Sequence, residues 1–129
     1  MSASDEARSM LEVAVRDYQT LIQMANPGEF STAAFGLFAQ QTVEKALKAW
    51  ILASGSRYPY SHDIQLLVDQ LVRSGEELPT NVSRLERLTD FAMQFRYIVG
   101  NFEDELPDRP AVLIEVNELL VAVMRRLAQ

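Results

Sequence analysis

The chain has 129 residues, 48% of them hydrophobic, a formal net charge of −6 and no cysteine. That is enough for one domain with its own core, residues 1–129, and too little for two ordinary ones. It excludes disulfides and thiolate metal sites, it disfavours the basic face that counterion-driven nucleic-acid binding needs, and it leaves no apolar run near the roughly 18 residues of a membrane span.

The first segment, Ser4 to Ala25, carries Ala7, Met10, Leu11, Ala14, Tyr18, Leu21, Ile22 and Ala25 at three- and four-residue steps, a helical stripe. Asp5 and Glu6 suit the positive end of its dipole, and Asn26-Pro27-Gly28 ends it, because Pro cannot continue the backbone ladder. The second helix is predicted from Glu29 or Ser31 to Ala53. Phe35, Phe38, Ala39, Thr42, Val43, Ala46, Leu47 and Trp50 form its apolar stripe, while Gln40, Gln41, Glu44, Lys45 and Lys48 make its wetter face. Arg57-Tyr58-Pro59-Tyr60 reads as an extended connector. Ser61 is the expected N-cap of a short third helix, with Asp63 in its first turn, Ile64, Leu67, Val68, Leu71 and Val72 along it, and Ser74-Gly75 closing it.

A fourth helix is expected from Thr80 or Asn81, carrying Val82, Leu85, Leu88, Phe91, Ala92, Phe95, Ile98 and Val99 to a stop at Gly100-Asn101. An acidic loop, Glu103 to Asp108, follows. Asp108 or Arg109, with Pro110 behind it, opens a fifth helix whose buried face is Val112, Leu113, Val116, Leu119, Leu120, Val123, Met124 and Leu127. The elements predict an all-α fold, an antiparallel bundle of four to five helices with the third packed across an end or a side. Met10, Met24, Met93 and Met124 read as core or dimer-contact residues. The polar start of the chain is unlike a secretory leader, and with the absence of Cys it sets a cytoplasmic expectation.

Three stretches in order, Phe38-Ala39-Gln40-Gln41-Thr42-Val43-Glu44-Lys45-Ala46-Leu47-Lys48-Ala49, Ser61-His62-Asp63-Ile64-Gln65-Leu66-Leu67 and Arg96-Tyr97, resemble the central helix, the following helix start and the Arg-Tyr element of HEPN domains. The resemblance implies an up-and-down helical bundle, usually a homodimer. It also implies a small prokaryotic protein, often paired with a minimal nucleotidyltransferase in toxin–antitoxin-like systems. Some HEPN members are metal-independent ribonucleases whose motif is an arginine followed after four to six residues by histidine. Arg96 matches the arginine, but Asn101, Phe102 and Glu103 stand where the histidine belongs, and proton transfer near neutral pH is usually the work of imidazole.

The candidate nucleotide- or partner-binding residues are Gln41, Glu44, Lys45, Lys48, His62, Asp63, Arg96 and Tyr97, with no catalytic residue, metal ligand or cofactor assigned. Each has a plainer alternative. His62 either fixes the start of the third helix through hydrogen bonds or lines a groove between the second, third and fourth helices. Glu44, Lys45 and Lys48 form either a solvated face or an interface. Arg96 pairs with Glu44, Glu103 or Asp104, or contacts a phosphate; Tyr97 packs, or stacks on a base. The acidic loop lacks EF-hand spacing and reads as exposed. The functional expectation is a non-catalytic HEPN-type binding module, the homodimeric partner of a minimal nucleotidyltransferase. Its alternatives are a ribonuclease with a departed motif around Arg96 and a nucleotide-binding accessory domain, the latter two touching RNA or nucleotide.

Overall fold

The computed structural model describes residues 2–90 and 108–129, and every described element is helical. Helix α1 spans Ala3–Gln23, α2 Thr32–Ala53, α3 Ile64–Arg73, α4 Val82–Leu85 and α5 Arg109–Leu127. Arg96, Tyr97, Met93 and the whole stretch from Phe91 to Pro107, with the second half of the expected fourth helix and all of the acidic loop but Asp108, lie outside the described residues.

Local chemistry sets the ends. Ser2 and Asp5 form a reciprocal capping box: the Ser2 hydroxyl oxygen accepts from the Asp5 N–H at 3.2 Å, and the Asp5 carboxylate accepts from Ser2. At the first corner the Asn26 side-chain oxygen accepts from the Gly28 N–H at 2.9 Å, and Ser31 caps α2 through the Ala34 N–H at 3.1 Å. Gly75, just after α3, has φ +85°, the left-handed angle that lets the chain leave a helix without a Cβ clash.

Helix α2 is the centre. Phe35, Ala39, Val43, Ala46, Leu47 and Ile51 are fully buried, and α2 packs against α1, α3 and α5. The directions of the helices follow from polar contacts at their ends. Arg109, at the start of α5, donates to the Met24 carbonyl at 3.1 Å and to the Thr32 hydroxyl at 3.2 Å, and its guanidinium lies 5.2 Å from the Phe35 ring centroid. At the far end Glu76 accepts from Trp50 Nε1 at 2.7 Å and from Arg126 Nε at 2.6 Å. Helices α2 and α5 therefore run the same way, and α1 runs against both. The Tyr18 hydroxyl, donating to the Leu113 carbonyl at 3.1 Å, fixes the α1–α5 register, and burial pushes its pKa up.

Several expectations change in detail. The fourth helix begins at Val82 but stops after Leu85; residues 86 and 87 form a turn before residues 88–90 are helical again. Val82, Leu85 and Leu88 are all buried, so the core stripe continues through the break. Met124 is 44% exposed rather than part of the buried face of α5, and Glu115 takes a buried place instead, within 3.5 Å of the Arg84 guanidinium. Leu113 and Leu127 are half-buried.

Candidate functional site

After Ala53 the connector turns back and runs along the side of α2. Ten residues of connector, at about 3.3 Å each when extended, easily reach back over nine helical residues at about 1.5 Å each. The return brings connector residues level with successive turns of α2. The Lys48 ammonium lies 5.0 Å from the Tyr58 ring centroid, Glu44 meets His62, and Gln40 meets the backbone behind it. Gln40, Glu44 and Lys48 are spaced by four and share one face, which is why one returning strand of chain can touch all three.

Glu44 is the hub. Its Oε1 is 2.8 Å from His62 Nδ1 and accepts from Gln40 Nε2 at 3.3 Å; its Oε2 accepts from Lys48 Nζ at 3.3 Å. Gln40 Nε2 also donates to the His62 carbonyl at 2.8 Å. The side chains of Glu44 and Lys48 are only 10% and 12% exposed. A carboxylate removed from water in this way is stable only because three donors converge on it and one is a cation.

Here the expected wetter face is corrected. Gln40 and Glu44 are 2% and 8% exposed, because the returning connector covers them. Lys45 leaves this face altogether and pairs with Asp17 of α1, and Gln41 is exposed. The start of α3 is also corrected. Asp63, not Ser61, is its N-cap, accepting from the Gln65 N–H at 3.0 Å, while the Ser61 hydroxyl oxygen accepts from the Asp63 N–H at 3.1 Å. The pull of His62 toward α2 keeps Ser61-His62-Asp63 non-helical, so the helix starts two residues later. The Thr89 hydroxyl accepts from the Ile64 N–H at 3.0 Å and ties the same corner to the fourth segment.

Of the candidate residues, the structure brings Glu44, Lys48 and His62 together, gives the Asp63 side chain to the cap of α3, and separates Gln41 and Lys45 from the cluster; Arg96 and Tyr97 lie outside the described residues. It adds Gln40 as a buried member, Tyr58, and Tyr60, which is fully exposed with its ring centroid 6.4 Å from that of His62. The four-residue spacing Gln40-Glu44-Lys48 was the available signal for Gln40. Tyr58 gave none, because only the fold decides where a connector runs. With Nδ1 directed at Glu44, the Nε2 edge of a ring whose side chain is 63% exposed is the edge left for solvent. Chemically the cluster is one buried carboxylate orienting one imidazole beside one lysine. No cluster of His, Cys, Asp or Glu suited to a metal ion occurs among the described residues.

A second polar node closes the other end of the bundle. Glu76 is held below the usual carboxylate range by its hydrogen bonds from Arg126 and Trp50. The cleft beside it, about 470 Å³, is lined by Gly75, Glu77, Ala122, Arg125 and Gln129 as well. It lies at the Trp50 end of α2, apart from His62. Glu86 is pushed up by burial and by Asp69 and Asp63.

The fold and this junction define a class first: a small helical domain in which a central helix receives the start of the next one through a Glu–His contact. The chain matches the family model of the HEPN domain over residues 7–126, and it belongs to that family. Neither a curated protein nor a solved structure gave a match. No helix among the described residues is long and apolar enough to cross a membrane.

Proposed function

We propose that this HEPN-family chain is a non-catalytic helical binding module of the cytoplasm, a homodimer that partners a minimal nucleotidyltransferase in a toxin–antitoxin-like pair. The observation that carries the reading is the engagement of Glu44. Its three partners, Gln40, Lys48 and His62, use it to lock α3 onto α2, so the cluster has a complete structural role within one protomer. The sequence adds that no histidine follows Arg96 within reach of the ribonuclease motif. Asn101 and Phe102 do not shuttle protons, and Glu103 would need a pKa far above about 4.3 to act as a general acid near neutral pH.

The test has two arms. The purified chain is incubated with a mixed RNA pool without metal, beside Arg96→Ala, and in the second arm it is co-expressed with a minimal nucleotidyltransferase from the same source. The expected result is intact RNA and a co-purifying complex. Cleavage by the wild type that the variant lacks overturns the non-catalytic reading in favour of a ribonuclease, and separate elution of the two proteins overturns the partnership.

A further inference from the structure

His62 is the one histidine of the chain, and Glu44 decides which of its ring nitrogens faces outward. Gln40 Nε2 donates to Glu44 Oε1 and Lys48 Nζ donates to Oε2, so both oxygens of the carboxylate act as acceptors. The proton between Oε1 and His62, 2.8 Å apart, therefore sits on Nδ1. In the neutral ring this tautomer places the lone pair on Nε2, the edge turned away from the cluster. Gln40 also holds the His62 carbonyl at 2.8 Å, which fixes the backbone behind the ring. The His62 side chain is 63% exposed and that of Glu44 only 10%. A buried carboxylate thus keeps an exposed imidazole in one tautomer and one orientation, the arrangement that makes Nε2 a directed nucleophile.

The surroundings narrow the chemistry. The clefts beside Glu76 and between α1 and α5 lie away from His62, which stands on the connector before α3 with the exposed ring of Tyr60 beside it. A nucleophile outside a cleft suits a reactant carried by another protein better than a small substrate held here. Among the described residues no group of His, Cys, Asp or Glu makes a metal-ligand set with it. Lys48 balances the charge of Glu44, so an incoming anion meets a neutral pair and not a bare carboxylate. An acyl group on an exposed imidazole is soon lost to water, whereas a phosphoryl group persists long enough to be handed on.

We propose that His62 is a phosphoryl-acceptor site, taking the group on Nε2 from a phosphohistidine of a second protein. The Nε2 lone pair attacks phosphorus, and the new N–P bond forms as the N–P bond to the donor imidazole breaks. The donor nitrogen leaves with that electron pair. No proton has to leave Nε2; Nδ1 keeps its own, and the positive charge that develops on the ring lies beside Glu44. The chain is here a substrate and not an enzyme, and the assignment is independent of the homodimer and nucleotidyltransferase readings.

Phosphoramidate, which carries the same N–P bond and releases ammonia, serves as the donor. It is incubated with the wild type, Glu44→Gln and His62→Gln, and with N-acetylhistidine amide as the reference imidazole. Intact mass spectrometry without acid gives the rate, phosphorus and nitrogen NMR give the nitrogen modified, and circular dichroism melts show which variants are folded. With one histidine in the chain, every phosphohistidine signal belongs to His62. The wild type is expected to take up one acid-labile, alkali-stable phosphoryl group on Nε2 alone, roughly tenfold faster than the amide. Glu44→Gln should fall toward the rate of the amide and give both Nδ1 and Nε2 products, and His62→Gln should stay unmodified. A wild-type rate no greater than that of the amide, or a mixture of the two nitrogens in the wild type, overturns the proposal without any variant having to fold. Equal modification of His62→Gln overturns it as well. A folded Glu44→Gln that keeps the wild-type rate and nitrogen overturns the positioning role of Glu44.

Discussion

Replacing Glu44 with Ala removes the only described carboxylate that faces Lys48 and His62, and the structure sets the size of the effect. Breaking a buried ion pair by deleting one member costs about 3–5 kcal/mol, mostly from the charge left behind. The two side chains here are 10% and 12% exposed, and Lys48 keeps its position over Tyr58, so the lower end applies, about 3 kcal/mol. With an unfolding entropy of about 2.1 cal/mol/K per residue, a chain of this length has about 0.27 kcal/mol/K, and 3 kcal/mol lowers Tm by about 11 °C. Lys48→Met removes the stranded cation and tests the cause. Alone it should cost about 2 kcal/mol, because Glu44 keeps Gln40 and His62; in the Glu44→Ala background it should cost almost nothing. The assay is thermal and urea unfolding followed by circular dichroism at neutral pH, at low and at high salt. Salt should change the difference little, since the pair is mostly shielded from solvent. If the two substitutions are additive within about 0.5 kcal/mol, the pair is not coupled and the junction does not work as argued.

Two further outcomes concern the same bundle. Glu76→Gln keeps an acceptor for Trp50 but loses the charge facing Arg126, and should lower stability by about 1–2 kcal/mol at neutral pH. Because the native carboxyl titrates below its ordinary value of 4.5, its contribution is present above that value and is lost as pH falls through the lower native pKa; the Tm gap between wild type and variant should shrink as pH drops below about 4.5, and a gap independent of pH would refute the assignment. His62→Ala removes one bond to Glu44 from a side chain already 63% exposed, so its cost should be about 0.5–1.5 kcal/mol, with binding to the proposed nucleotidyltransferase partner retained; unchanged stability together with lost binding would move His62 to the contact surface.

The sequence by itself determined α1, α2, α3 and α5 and most of their ends, because those depend on near neighbours. Ser31 caps α2, Asn26-Pro27-Gly28 turns the first corner and Gly75 takes the left-handed angle after α3, each through contacts within a few residues. The apolar stripe of α2 predicted its central burial for the same reason, and the three resembling stretches pointed to the HEPN family that the match over residues 7–126 shows. Only the tertiary structure decided what the polar residues of α2 do. Periodicity gives the side of a helix but not what covers it, so Gln40 and Glu44 read as wet until the connector turned back over them. The same return pulled His62 onto Glu44, delayed the start of α3 and gave its cap to Asp63 rather than Ser61. The Trp50–Glu76–Arg126 node joins residues up to 76 positions apart in sequence, and no local pattern relates them. A buried polar group must find its partner wherever the fold brings one, and that partner is fixed by packing rather than by spacing.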